Sequence, residues 1–337
     1  MPTWTILLQL LIPVLLLLWL GLRPAPSRLG FGLQVLGTGL ALFALARVGL
    51  WALPPWWTPW LLGGIWAALV GRRLVLRTRV APEAPVHLFP RGAAGWAGVV
   101  VALALALLGG AAVGATMRAR TLPPVQVVDI PNPMGPGRYL VAHGGFRALT
   151  NGHLMTLDTS VPRFADWRGQ SYAVDLMGID ALGFRTRGLR PEDPARYAIF
   201  GVPVHAPCGG RVLATENGLP DMPVPVMDRE HMLGNHVLLQ CGDVVLLLAH
   251  LREGSVEVAA GERVELGTLL GEVGNSGNTS EPHLHIHAQR AGTAAAPISG
   301  EPLVLRIDGR ILVRNDRIQG ADWSAGPVSP VRPPAPQ

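Results

Sequence analysis

Two unlike halves of one 337-residue chain predict a membrane-anchored, mainly β protein, with N-terminal transmembrane helices followed by an antiparallel sheet or small barrel-like domain. Three observations carry that expectation. Apolar residues make up 49% of the chain and charged residues only 15%, an unusual balance for a purely soluble protein. The apolar excess is concentrated before about residue 120. Beyond it, short valine- and leucine-rich runs alternate with glycine turns, the pattern of an antiparallel sheet or small barrel.

The first half holds four apolar stretches: Trp4 to Leu22, Phe31 to Leu53, Trp56 to Val70 and Ala93 to Met117. A helix needs about 20 residues to cross the hydrocarbon core, so the first, second and fourth are long enough. The third is short, but Trp56, Trp57 and Trp60 suit an interfacial aromatic belt. Pro54-Pro55 separates it from the second. All 28 basic residues are arginine. Arg23 and Arg28 follow the first stretch, and Arg72, Arg73, Arg77, Arg79 and Arg91 lie between the third and fourth. By the positive-inside rule these loops are cytoplasmic, which puts the N-terminus and everything after the fourth stretch outside; Arg118 and Arg120 oppose that only mildly. The first stretch has no basic residue before it and reads as an uncleaved anchor instead of a signal peptide.

Residues 1–120 are thus expected as the transmembrane region and 121–137 as a proline-rich linker. A β-rich domain at 138–323 comes next, and a disordered proline-rich tail at 324–337 ends the chain. Within the domain, Val202 to Pro207 and Arg211 to Leu213 read as strands about Gly209-Gly210. His236 to Gln240 and Val244 to Leu248 read as a hairpin about Cys241-Gly242-Asp243. No nucleic-acid-binding module is present, which excludes that class despite the net charge of +5. Cys208 and Cys241 lack metal-site spacing; in an extracytoplasmic domain they would form one disulfide.

The stretch Pro282-His283-Leu284-His285-Ile286-His287 carries most of the chemistry. On a strand, residues two apart share a face, so His283 and His285 would look into one space about 6–7 Å apart. Imidazole is the commonest ligand for zinc-like ions. Together with Gly271-Glu272-Val273-Gly274-Asn275-Ser276-Gly277-Asn278-Thr279-Ser280, this stretch resembles the terminal motif of the M23 (lysostaphin/LytM-type) zinc metallopeptidases. Ala249-His250-Leu251 resembles that family's conserved histidine segment. Val204-His205-Ala206-Pro207 with Gly209-Gly210-Arg211-Val212, and Gly234-Asn235-His236-Val237, resemble its entrance and the strand that follows. The likeness covers roughly residues 138–290.

The resemblance implies a zinc ion held by His153, Asp175 and His285, with His250 and His283 as the catalytic pair. Asp175 stands in the family-like Tyr172-Ala173-Val174-Asp175-Leu176. The family usually has a histidine four residues before that aspartate; here the position holds Ser171, and His153 in Asn151-Gly152-His153 is the best replacement, with His143 as the fallback. Three protein ligands leave one position for water, whose acidity the metal raises. There is no His-Glu-x-x-His and so no helix-borne glutamate base; His250 and His283 are left for proton transfer and oxyanion stabilisation, without assignment of which does which. His287 lies one step further along the strand, where packing or contact with His285 is expected in place of ligation. His205 and His236 read as structural, His87 and His231 as loop residues, and Asp158, Asp166 and Asp180 as solvated rivals to Asp175.

The resemblance therefore implies a zinc metalloendopeptidase of the cytoplasmic membrane, multi-pass, with its peptidase domain at 138–323 outside. By the same resemblance its substrate is the peptide of peptidoglycan. The alternative is an inactive M23-like module that binds or regulates cell-wall enzymes. Ligand completeness discriminates between them, and all five site residues can be assigned.

Overall fold

The computed structural model describes residues 3–52, 54–79 and 87–323, so the expected disordered tail at 324–337 lies outside the described residues. The chain divides into two compact units, Met1–Met117 and Arg118–Gln337.

The first unit is helical: α1 (Thr3–Leu22), α2 (Arg28–Val48), α3 (Thr58–Arg79) and α4 (Gly92–Met117). Ser27 caps α2 by accepting a hydrogen bond from the Gly30 amide. The third helix is longer than its apolar stretch, because arginine and leucine are good helix formers and nothing after Val70 breaks the pattern. Arg72 and Arg73 therefore extend the helix instead of lying in a loop. Three spans are long and apolar enough to cross a membrane: Arg28–Val48, Thr58–Leu76 and Gly92–Arg120; the apolar part of the first helix among the described residues, Gln9–Leu22, is shorter. Helices α2 and α4 meet through small residues. A Cβ on Gly37 would sit 2.3 Å from the Ala102 carbonyl oxygen, and one on Gly109 would sit 2.8 Å from the Leu40 carbonyl carbon. Glycine at these points lets the two backbones touch.

The second unit is built on an open, ten-stranded sheet. Its strands are β1 (Val127–Ile130), β2 (Arg138–His143), β3 (Val174–Ile179), β5 (Gly210–Glu216), β6 (Asn235–Cys241), β7 (Val244–Leu251), β8 (Arg263–Val264), β10 (Leu284–Gln289), β11 (Pro302–Ile307) and β12 (Arg317–Gln319). The order is β12-β2-β3-β10-β7-β6-β5-β8, with β11 joining β10 and β1 pairing β11. Every pairing is antiparallel except β1 with β11. Part of the proline-rich stretch expected as linker is thus strand, and Met134 beyond it is fully buried.

No barrel closes among the described residues. Strand β4 (Pro203–His205), which the sequence placed opposite β5 about Gly209-Gly210, pairs instead with β9 (Leu269–Glu272) as a separate ribbon. Val204, Leu270 and Val273 bring that ribbon onto the core formed by Leu176, Leu246, Leu248, Leu284 and Ile286 from one face of the sheet. The hairpin β6–β7 forms as expected, with Gly242 at φ 66° in its turn. Strand β7 is buried along its whole length: Leu246 and Leu248 enter the main core, while Val245, Leu247 and Ala249 face a smaller cluster with Ile298 and Trp167. That second face of β3, β7 and β10 carries the site.

Cys208 and Cys241 form a disulfide with Cα atoms 6.1 Å apart, tying the turn after β4 to the end of β6. Closing a loop of 33 residues contributes about 3–4 kcal/mol in the chain-entropy picture. The full-length protein denatured without reductant should show no alkylatable thiol by mass. Replacing both cysteines by serine should lower the stability of the β domain by about that amount in denaturant titration.

Candidate metal and catalytic site

Strand alternation sorts β10 into two rows. Leu284, Ile286 and Ala288 enter the core; His285, His287 and Gln289 line the opposite face. On the neighbouring β3, Val174 and Leu176 enter the core and Asp175 faces outward, directly across from His285 in the register. Asp175 Oδ1 lies 3.0 Å from His285 Nδ1.

His153 arrives from outside the sheet. It sits on a short 3-10 turn, Gly152–Leu157, whose cap is the buried Asn151. The Asn151 side chain accepts from the His153 amide and donates to the carbonyls of Gly145 and Ala173, fixing the turn against the start of β3. The His153 carbonyl accepts from the Thr156 hydroxyl, which also hydrogen-bonds the Ser171 hydroxyl at 2.8 Å. Ser171, where the family resemblance would expect a histidine, thus braces the turn that carries His153. His153 Nε2 ends 2.9 Å from Asp175 Oδ2.

His250 reaches the site against the alternation of its strand. Its even position on β7 would send it into the core with Leu246 and Leu248. Opposite it β6 is one residue short: Asn235 pairs with Leu251 and His236 with Ala249, which leaves His250 as the extra residue of a bulge. Its φ of 64°, uncommon for a residue with a Cβ, turns the ring out, while Leu251 resumes the core. The His250 ring centroid lies 4.8 Å from that of His283 and 5.8 Å from that of His285. His283 occupies the loop just before β10, with Nε2 3.9 Å from Asp175 Oδ2.

Carbonyl partners fix the tautomers of both outer histidines. His250 Nδ1 lies 2.9 Å from the Ser276 carbonyl oxygen and His283 Nδ1 2.9 Å from that of Glu281. A carbonyl only accepts, so each Nδ1 carries a proton and each Nε2 is left for the cleft. The loop holding His283 is anchored from below: Glu281 and Arg185, both buried, form a 2.7 Å ion pair, and the Arg185 guanidinium lies over the Tyr197 ring.

The electrostatics follow from burial and crowding. Burial pushes the Asp175 carboxyl up, but the neighbouring His153 and His283 and the hydrogen bonds from His153 and His285 outweigh it and hold the group well below the usual carboxylate range. Burial lowers His285, against the opposing pull of Asp175. It lowers His250 strongly, and the nearby His283 and His285 add to the effect, so His250 is neutral at ordinary pH.

One ligand atom from each of His153, Asp175 and His285 lies within 4.8 Å of the others. The two imidazole nitrogens lie 2.9 Å from Oδ2 and 3.0 Å from Oδ1 of the same carboxylate, one on each oxygen. Two imidazole nitrogens and an ionised carboxylate facing one point suit a divalent cation. The fallback ligand, His143, is not in this group: its Nδ1 accepts from the Gly152 amide, and burial lowers its pKa to about 3. Asp180 and Asp158 bond the amides of their own turns. The ligand atoms open on a cleft of about 670 Å³. One wall is the inserted segment after His153, through Met155, Phe164 and Trp167; another carries Met227 and Met232. Sequence reasoning missed the Thr156–Ser171 brace and the Arg185–Glu281 pair; both are contacts between distant segments that no local pattern reveals.

Residues 197–297 match the sequence profile of Peptidase family M23. The peptidoglycan DD-endopeptidase ShyA of Vibrio cholerae serotype O1 is 31% identical over 117 residues, which are 34% of this chain and 26% of that protein. The alignment thus spans about a quarter of that relative's length. Among solved structures, the catalytic domain of lysostaphin from Staphylococcus simulans is 20% identical, covering 37% of this chain and 71% of that one with a TM-score of 0.24. The SpoIIIAH and SpoIIQ complex gives 18%, 35% and 62% with a TM-score of 0.24. Within the β unit, residues 197–297 thus resemble peptidases, and more narrowly the members of Peptidase family M23. The matched segment holds His250, His283 and His285, while His153 and Asp175 precede it.

Arg185→Met should destabilise the domain by about 3–5 kcal/mol in denaturant titration, because it leaves the Glu281 carboxylate buried without its partner. The double change Arg185→Met with Glu281→Leu should recover most of that loss, since an apolar pair of similar bulk removes the stranded charge.

Proposed function

We propose that this protein is a membrane-anchored zinc metalloendopeptidase that hydrolyses peptide bonds of peptidoglycan stems or cross-bridges outside the cytoplasmic membrane. The observation that carries this reading is the convergence of His153, Asp175 and His285 on one point, with the Nε2 atoms of two further histidines beside it. Two nitrogens and one oxygen are a catalytic zinc set, with a position left for water or substrate. A bound zinc ion would supply Lewis acidity, making water more acidic and a peptide carbonyl more electrophilic. The helical unit and its arginine-bearing segments support anchoring with the β domain outside. A disulfide in that domain suits an oxidising compartment.

The chain's own residues divide the proton work. His250, neutral and with Nδ1 tied to Ser276, presents Nε2 as the base that takes a proton from the attacking water. His283, with Nδ1 tied to Glu281, presents Nε2 beside it; in its doubly protonated form that nitrogen donates to the oxyanion that develops on the scissile carbonyl. The apolar walls of the cleft hold an extended peptide and thin the water around it.

The test is release of soluble peptide fragments from purified peptidoglycan by the full-length protein in detergent. Mass spectrometry would compare added zinc, added chelator and the His285→Ala variant. New peptide ends that need zinc and His285 are expected, and their masses name the bond. A folded, zinc-loaded protein that cleaves nothing would overturn the reading in favour of a binding or regulatory module.

A further inference from the structure

Strand β10 continues the site inward as a buried polar row. His285, His287 and Gln289 lie on one face of the strand, and the side chains of His287 and Gln289 have no solvent exposure at all. His285 Nε2 lies 3.0 Å from His287 Nδ1. The far end is fixed: the Gln289 side-chain amide donates to the Pro297 carbonyl at 2.6 Å, which turns Oε1 the other way as an acceptor. His287 Nε2 and Gln289 Oε1 are both buried and neither meets a hydrogen-bond partner at bonding distance, while the Gln289 side chain lies close enough to His287 to oppose part of the effect of its burial. They are complementary, one able to donate and the other only to accept.

That polarity decides where the protons lie. With Gln289 Oε1 as acceptor, the His287 proton belongs on Nε2, and His287 Nδ1 becomes an acceptor. His285 must then carry its own proton on Nε2 and donate it to His287. With a cation bound, its Nδ1 would give up the hydrogen bond to Asp175 and offer a lone pair to the point shared with Asp175 and His153. The reverse tautomer would leave two buried acceptors, His287 Nε2 and Gln289 Oε1, with no donor between them, which is costly in a dry interior. Room for this row is kept by Gly169, on the 3-10 turn Arg168–Tyr172: a Cβ there would fall 1.5 Å from Gln289 Oε1.

We infer that His287 and Gln289 are positioning residues, a two-step buried relay that fixes His285 in the tautomer whose Nδ1 offers its lone pair to the cation. The relay rests on the metal site proposed above. It acts through His285 and touches neither cation nor substrate. Partners of this kind hold a ligand's orientation and basicity, and their loss typically weakens metal affinity 10–100-fold.

The test uses full-length protein in detergent and reads metal binding without any substrate. Zinc affinity is measured by competition with a chromophoric chelator, and Co2+ is titrated in by its visible absorption bands. His287→Leu, which keeps bulk but has no acceptor, should weaken zinc binding 10–100-fold and shift the Co2+ bands. His287→Asn carries an acceptor oxygen as far from Cβ as Nδ1 is, and should restore affinity to within a few-fold of the parent. Thermal unfolding of the metal-free proteins separates weakened binding from a lost fold. Should His287→Leu not fold, Gln289→Met leaves both rings in place, and a several-fold loss is expected. Parent-like zinc affinity and Co2+ bands in either apolar variant would overturn the relay while leaving the metal site standing. A folded parent that binds neither ion would overturn both.

Discussion

The structure of the site depends on one buried carboxylate. Asp175 sits at the start of β3 with His153, His283 and His285 around it, and it is almost entirely buried. An isolated charge could not stay ionised at that depth. It does so because the neighbouring imidazoles, by charge and by hydrogen bond, outweigh the cost of burial. Each surrounding ring must then be held by something else, since one carboxylate cannot orient three of them. The structure provides a separate device for each ring: a capped turn for His153, a backbone carbonyl for His283 and a buried relay for His285.

Those devices differ in how far they could be read from the sequence. The His-x-His alternation and the β6–β7 hairpin follow from period-two patterning, which survives in the sequence because one face of each strand must be apolar, whereas Asp175 was marked by family likeness and its register opposite His285 only by the structure. His250 is the opposite case. Its parity places it in the core, and only a one-residue mismatch with β6 and a positive φ turn it into the cleft. A bulge of this kind leaves no composition signal, so family likeness, not periodicity, marked that residue. The proline-rich stretch shows a related limit: proline argues against a central strand, yet β1 lies at an edge and pairs only with β11, where that objection is weak.

The same limit explains the missing barrel closure. Frequent glycines after Gly261 and valines between them fit either a closed barrel or a sheet with a second layer, because both give short strands and tight turns. The choice is made by pairing over long separations, β4 with β9 across more than sixty residues, and local pattern carries no information about that. Four helices were legible because each carries a long apolar run; the end of α3 was not, because arginine is as good a helix former as leucine.

The displaced histidine links the site to the fold around it. Moving a ligand from the strand approach at Ser171 to a turn eighteen residues upstream would ordinarily cost precision, since loops hold side chains less tightly than strands. Here the intervening segment folds back through the Thr156–Ser171 hydrogen bond, so the vacated position becomes the anchor of the replacement. That detour also places Met155, Phe164 and Trp167 along the cleft, and Gly169 beside Gln289 beneath it. This one segment thus carries the candidate ligand His153, a wall of the cleft and the space for the row behind His285. A change in its length would disturb all three together, because the same short run of backbone sets the position of each.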